Sequence, residues 1–449
     1  MERATFKSRL GFILIAAGCA IGIGNVWRFP YITGNYGGGA FVFFYLIFLL
    51  LIGVPILTME LAIGRASRQS TIRAYQVLER PGQKWHLHGP IAMIGNYVLM
   101  MFYTPIAGWM LAYFFKFISG DFVGCDLAGV EQVFTNLTAD PFSMVFWMLL
   151  IVLGGFFICS RGLQHGVERI TKWMMLALLG LIIVLAVHSI LLDEGFAGLS
   201  FYLKPDFSKM KDYGVLNTLV AAMNQSFFTL SLGIGAMLIF GSYMDRNRTL
   251  LGESLQIVVL DTFVAIASGL IIFPACFSFG INPDSGPNLI FITLPNVFNS
   301  MPLSRFWGAL FFLLMTFASF STVLAVFENI IACCIDQWHC SRKKACLINA
   351  ILVSVLALPC IFGFNLLSGF TIGGQNIMGM EDFLVSNLLL PIGSLIYLLF
   401  CVSRVGWGFS NYQAEANRGA GCKVPTWIRF YVTYILPLLV IVILVLGLI

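Results

Sequence analysis

Charge is what this sequence holds least of. Of its 449 residues, 26 are Lys or Arg and 21 are Asp or Glu, 10% in all, against roughly 25% in an ordinary soluble domain. Histidine is scarcer still, with five. A chain with 59% hydrophobic residues and so few charges could not cover its own surface in water. Soluble enzymes and disordered scaffolds are excluded. The net charge of +5 is small and dispersed, so it builds no nucleic-acid surface. There are eleven cysteines, but most fall inside apolar runs and only Cys125 lies clearly in an external loop, which argues against a disulfide framework. The group Cys333, Cys334, His339 and Cys340 matches no zinc spacing. The charges cluster, and long uncharged runs separate the clusters. The chain is an all-α polytopic membrane protein whose first partner is the lipid bilayer.

The runs bound the helices. A span needs about 20 apolar residues, and lipid admits only helices or closed barrels. Eleven transmembrane helices are predicted, over roughly 10–33, 39–63, 90–118, 142–160, 171–192, 214–242, 254–280, 304–335, 346–364, 382–403 and 428–449. The uncharged stretch between Asp284 and Arg305 carries Pro283, Pro287, Pro295 and Pro302 in or beside it and reads as a loop. The first run holds Asn25 and Arg28 and no small-residue cleavage site, which argues against a signal peptide. Lys and Arg fall mainly on one side. With the N-terminus inside, the cytoplasmic segments carry 19 of the 26 basic residues, whereas the loop after the third span carries Asp121, Asp126, Glu131 and Asp140. The expected placement is in the cell membrane, plasma or inner, with a cytoplasmic N-terminus and an external C-terminus.

The first and sixth spans echo one another. One contains Gly22-Ile-Gly24 and the other Gly233-Ile-Gly235, both at mid-membrane depth and five spans apart. Close glycines favour local unwinding, and unwound backbone at that depth is tolerated only where it lines a cavity. Matching interruptions at an odd offset imply inverted repeats with a binding site where the breaks meet. One transporter domain over 1–449 is expected, with a first repeat over about 10–192, a second over about 214–403, and an extra helix at 428–449. Polar groups flank the breaks: Asn25, Thr229, Asp261, Ser319, Ser321 and Thr322. An intramembrane carboxylate is costly and marks function by default. These are hard oxygen donors, suited to an alkali or alkaline-earth cation.

At these residues the sequence resembles the neurotransmitter:sodium symporter family, with its leucine-transporter fold of two inverted five-helix repeats and broken helices 1 and 6. The resemblance covers about residues 7–403 and is carried by Gly24-Asn-Val-Trp-Arg-Phe-Pro30, Asn35-Tyr-Gly-Gly-Gly-Ala40, Glu60-Leu-Ala-Ile-Gly-Arg65, Gln225-Ser-Phe-Phe-Thr-Leu-Ser-Leu-Gly233 and Phe291-Ile-Thr-Leu-Pro295. Eleven spans look like the shorter bacterial members.

The resemblance implies two co-transported sodium ions. The first site uses the Ala20 carbonyl, Asn25, Thr229, Asp261 and the substrate carboxylate. The second uses carbonyls of Gly18, Ile21 and Ala318 with the hydroxyls of Ser321 and Thr322. Chloride-dependent relatives carry Asn at the position of Asp261 and Ser at that of Ala265, so no chloride is expected here. Amine-binding relatives place an Asp where Gly22 stands; with glycine, a substrate carboxylate can approach the exposed backbone of Ala20, Gly22 and Gly24, with Tyr103 donating to it. Thr229 or Ser231 would meet the amine, and Leu99, Phe228, Ile234 and Val326, with Thr322 and Ser319 nearby, would form an apolar wall. Arg28 with Asp382 resembles an outer gate, and Arg3 with Asp336 and Tyr243 an inner one, although Phe6 stands where relatives often carry Trp. The expected activity is sodium-coupled import of a neutral hydrophobic or aromatic L-α-amino acid by alternating access. The eleventh helix is left for packing or a homo-oligomer. The alternatives are proton coupling through Asp261 on the same fold, or an ion channel. Enzymatic chemistry is not expected, because no histidine stands beside a mid-membrane Ser and no catalytic residue is assigned.

Overall fold

The computed structural model describes residues 5–208, 210, 214–280 and 289–447. Among these residues the chain is helical, with only isolated bridges such as Gly38 to Pro205 in place of a sheet. In order the helices are α1 (Arg9–Ala20), α2 (Gly24–Asn35), α3 (Gly39–Ser67), α4 (Thr71–Leu78), α5 (Trp85–Ser119), α6 (Leu127–Ala139), α7 (Pro141–Ser160), α8 (Leu163–Ile190) and α9 (Gly195–Leu203). They continue with α10 (Val215–Phe228), α11 (Ala236–Ser242), α12 (Leu250–Ser278), α13 (Leu289–Asn299), α14 (Ser304–Trp338), α15 (Arg342–Phe362), α16 (Ile377–Val402), α17 (Phe409–Ala416) and α18 (Ile428–Leu446).

Among the described residues nine of these are long and apolar enough to cross a membrane, and α1 with α2, bent by 54° at a short interruption, makes a tenth candidate. The expected span over 214–242 does not form one helix. It is divided into α10 and α11 by a non-helical stretch over 229–235. The loop expected between Asp284 and Arg305 contains α13, which is too short to span; its Pro295 stands just after the wider helical turn over Leu289–Thr293. The tenth expected span begins at Ile377, ahead of Asp382.

The long helices α5 and α14 pack along each other at the centre, and α14 is buried along most of Gly308–Cys334. The outer helices show the opposite. Phe142, Phe146, Leu150, Leu153 and Phe157 of α7 are exposed, as are Leu347, Ile351 and Val355 of α15. Apolar faces of this extent match hydrocarbon rather than water. Inside, with no apolar gain in moving from lipid to protein, small residues let helices approach closely. Thus α3 and α11 meet backbone to backbone: a Cβ on Gly64 would stand 1.9 Å from the Leu238 carbonyl, and one on Gly241 2.4 Å from that of Leu61. Gly64→Ala is expected to lower stability by about 1–3 kcal/mol, as overpacking does, read as a drop in unfolding temperature in detergent.

Candidate functional site

The interruptions free backbone groups that hydrocarbon cannot satisfy, and side chains from neighbouring helices supply the partners. Between α1 and α2, Ile23 N–H donates to the Tyr103 hydroxyl at 3.1 Å, Gly22 N–H to Asn25 Oδ1 at 3.4 Å, and Gln225 Nε2 to the Gly24 carbonyl at 3.3 Å. On α14, Ser321 Oγ lies 2.9 Å from the carbonyls of both Gly18 and Ala318 and 3.5 Å from that of Ile21. Thr322 Oγ1 lies 3.4, 3.3 and 3.5 Å from the carbonyls of Gly18, Cys19 and Ala318. The oxygens expected at the second cation site therefore converge, across the end of α1.

The second interruption turns through left-handed backbone at Ser231, Gly233 and Gly235, with φ of 50°, 100° and 79°. Glycine adopts that region freely and Ser231 does not, so its neighbours must hold it. Gly233 N–H donates to Glu60 Oε1 at 2.5 Å. The Ile234 carbonyl accepts from Asn96 Nδ2 at 2.9 Å and Asn329 Nδ2 at 3.3 Å, and Thr71 Oγ1 donates to the Gly235 carbonyl at 3.2 Å.

Asp261 on α12 joins the two interruptions. Fully buried, it accepts from Asn25 Nδ2 at 2.7 Å and from Thr229 Oγ1 at 2.9 Å, while the Tyr45 hydroxyl reaches Thr229 Oγ1 at 3.4 Å. No Lys, Arg or His pairs with it among the described residues. Amide and hydroxyl dipoles alone face this carboxylate, which leaves room in its charge balance for a cation.

Beside these groups is a small cavity of about 20 Å³ lined by Ala20, Gly22, Gly24, Leu99, Tyr103, Phe228, Ser231, Ile234, Thr322, Val385 and Leu390. Most of the expected substrate residues meet there, but Thr229 and Val326 do not line it. Thr229 turns to Asp261, and Val326 is fully buried in the core. Val385 and Leu390 of α16 complete the wall. Gly24, Tyr103 and Phe228 also line a second cavity of about 540 Å³ that reaches Trp27, Trp109 and Asp382, so the Phe228 ring stands between the two.

The outer gate differs from expectation. Arg28 does not pair directly with Asp382. Its Nη1 donates to Ser386 Oγ at 3.3 Å, Ser386 donates onward to Asp382 Oδ1 at 2.8 Å, and the guanidinium lies 4.1 Å from the centroid of Phe228. Serine bridges the charges because Asp382 and Ser386 are one helical turn apart. At the other end Arg3 falls outside the described residues. Tyr243 donates to Glu328 Oε1 at 2.8 Å, and Glu328 is held by Arg342. Asp336 Oδ2 accepts from Ser70 N–H at 2.7 Å. Phe6 packs edge-on to Tyr243, centroids 5.8 Å apart.

Sequence reasoning missed Tyr45, Asn96, Asn329, Ser386, Val385 and Leu390. The two asparagines were detectable as polar groups inside apolar runs, the signal that singled out Asn25. Val385 and Leu390 carry no such mark.

Helices interrupted inside the membrane, oxygen donors without thiol or imidazole, and cavities on either side of one aromatic ring define a multi-pass membrane transporter. The chain belongs to the sodium:neurotransmitter symporter family, whose model matches residues 3–131 and 130–449. It is 33% identical over 440 residues to an uncharacterized sodium-dependent transporter of Bacillus subtilis, YhdH, covering 98% of this chain and 96% of that one. The bovine (Bos taurus) sodium- and chloride-dependent taurine transporter is 24% identical over 488 residues, covering 98% of this chain and 77% of that one. Among solved structures, that of MhsT in complex with L-phenylalanine superposes with a TM-score of 0.89 at 35% identity, covering 99% of both chains. These relatives are transporters, and the chain is a sodium-coupled transporter of a small molecule rather than an enzyme.

Ser386→Ala is expected to detach Arg28 from Asp382 and to raise the rate of ligand release by about 2–5-fold, in line with one surface-type polar link of up to about 1 kcal/mol. Dissociation of radiolabelled ligand measures it.

Proposed function

We propose that the protein imports a neutral hydrophobic or aromatic L-α-amino acid together with two sodium ions, independently of chloride, by alternating access. The observation that carries this is Asp261, buried among neutral dipoles between the two interruptions and next to a cavity whose side chains are uncharged. One sodium would sit among the Ala20 carbonyl, Asn25, Thr229, Asp261 and the substrate carboxylate. The other would sit among Gly18, Ile21, Ala318, Ser321 and Thr322. Because the substrate would ligate the first ion, each would raise the other's affinity by the same factor. Asp261 supplies the negative charge that chloride supplies elsewhere.

Gly22 supports a carboxylate-bearing substrate. A Cβ there would stand 2.5 Å from the Tyr103 hydroxyl and 2.8 Å from Thr322 Oγ1, so any longer side chain, an anionic one included, would displace the groups offered to the substrate. Apolar Leu99, Phe228, Ile234, Val385 and Leu390 favour an apolar side chain, and the L-phenylalanine in the MhsT structure is in keeping with that. Counting α10 with α11 as one broken helix, and α1 with α2 as another, gives eleven spans. We take these as two inverted repeats over about 10–192 and 214–403 within one domain, and α18 as an extra helix suited to packing or self-association. The N-terminus is cytoplasmic in this reading and the C-terminus external, with Arg28, Ser386 and Asp382 on the outer path and Asp336 and Tyr243 on the inner.

A panel of common amino acids, bound to purified protein in sodium and in potassium at one pH, tests the assignment. Saturable binding of large neutral amino acids in sodium alone is expected, and equal binding in potassium would discard both sodium sites. Tyr103→Phe should weaken affinity about 10–100-fold, since a hydrogen bond to a charged group contributes about 1.5–3 kcal/mol. Uptake into proteoliposomes should survive replacement of chloride by gluconate, and Asp261→Asn should lose uptake unless chloride restores it.

A further inference from the structure

Against the second interruption lies a group of buried polar atoms that no direct hydrogen bond satisfies. Glu60 of α3, with 0% exposure, places one oxygen on Gly233 N–H; the amides of Met237 and Leu238 in the first turn of α11 also face its carboxylate, while Oε2 makes no hydrogen bond of normal geometry. Tyr75 of α4 and Tyr397 of α16 stack at 5.8 Å between centroids. His88, in the first turn of α5, stands edge-on to them at 5.5 and 5.0 Å. The tyrosine hydroxyls approach each other and Thr71 without a bond of normal geometry, and neither ring nitrogen of His88 has a partner. Ser394, one turn from Tyr397, and Ser70, beside Thr71, are orphaned too. A Cβ on Gly235 would lie 2.8 Å from the Tyr397 hydroxyl, which ties the group to the backbone of the interruption.

Buried polar groups are satisfied in the great majority of cases. A buried water needs two to four polar partners, and the atoms grouped here offer that many. The charge balance is unusual. The titratable groups facing Glu60 and its neighbours are Cys19 from α1, Tyr75 from α4, His88 from α5, Cys333 from α14, and Tyr397 and Cys401 from α16. No Lys or Arg pairs with Glu60 among the described residues. An ionised carboxylate with no counter-charge at this depth is costly, and chains of carboxylate and histidine in spans serve as proton relays.

We propose that Glu60 holds an exchangeable proton, and that Tyr397, Tyr75 and His88, bridged by buried water, carry that proton to the aqueous phase at the α4–α5 end of the protein. Each transfer breaks an O–H or N–H bond on the donor and forms one on the acceptor. One proton leaves Glu60, one reaches solvent, and the intermediate groups are regenerated. His88 is itself buried, and its chain neighbour Leu87 is exposed, which puts the end of the path one residue from the surface. This site is separate from Asp261 and stands whether or not the two sodium assignments hold.

Infrared spectroscopy of the purified full-length protein at neutral pH tests the proposal. A carbonyl stretch of a protonated carboxylic acid is expected that persists in Asp261→Asn and in Glu381→Gln, which remove two other buried carboxyls. It should vanish in Glu60→Gln. Absence of the band from the parent protein, or its survival in Glu60→Gln, overturns the site. On transfer to deuterium oxide the band should shift, and Tyr397→Phe should slow that exchange about tenfold or more, as loss of a relay group does. An unchanged exchange rate in Tyr397→Phe overturns the path. This readout also serves if Glu60→Gln fails to fold, which size-exclusion chromatography and sodium-dependent ligand binding report.

Discussion

Hydrocarbon offers no hydrogen bonds, so each backbone amide or carbonyl that leaves a helix inside a membrane must find its partner within the protein. The site follows from that constraint. Two segments, 21–22 and 229–235, leave the helical path, and two of the side chains that satisfy them, Tyr103 and Thr322, also line the small cavity. Tyr103, Asn25, Ser321 and Thr322 serve the first; Glu60, Asn96, Asn329 and Thr71 serve the second. The same hydroxyls and carbonyls that stabilise the unwound backbone are the hard ligands available to a cation.

The partners come from helices with different surroundings. Asn96, Tyr103, Ser321, Thr322 and Asn329 stand on α5 and α14, which pack together at the centre. Glu60 and Asp261 stand on α3 and α12. Each interruption is thus gripped from both sides by directional contacts, each contributing about 0.5–1.5 kcal/mol net. Contacts of that size can be exchanged one at a time as helices shift, whereas the close approach of α3 to α11 through Gly64 and Gly241 keeps those two moving together.

Most of the architecture was legible in the sequence because the bilayer imposes a coarse rule: charges interrupt, apolar runs span. Asp261, Asn25 and the Gly-Ile-Gly pairs stood out because they break that rule. Residues that obey it were invisible. Val385 and Leu390 reach the cavity through the packing of α16 against the interruption, which no periodicity encodes. Val326, expected on the wall, is not among the residues lining the cavity. Ser386 was hidden for another reason: an i, i+4 relation to Asp382 is common in helices, and only the position of Arg28 across the outer cavity makes it a bridge.

A single carboxylate met only by neutral dipoles has an electrical consequence. With Asp261 ionised and no cation bound, the centre of the protein would carry one negative charge. With two sodium ions and a zwitterionic amino acid it would carry one positive charge. The loaded and unloaded forms would then respond in opposite senses to a voltage across the membrane. Each charge crossing 100 mV exchanges about 2.3 kcal/mol, so one cycle would draw on the electrical gradient for both ions. An interior-negative membrane would thereby speed both halves of the cycle, inward for the loaded carrier and outward for the empty one.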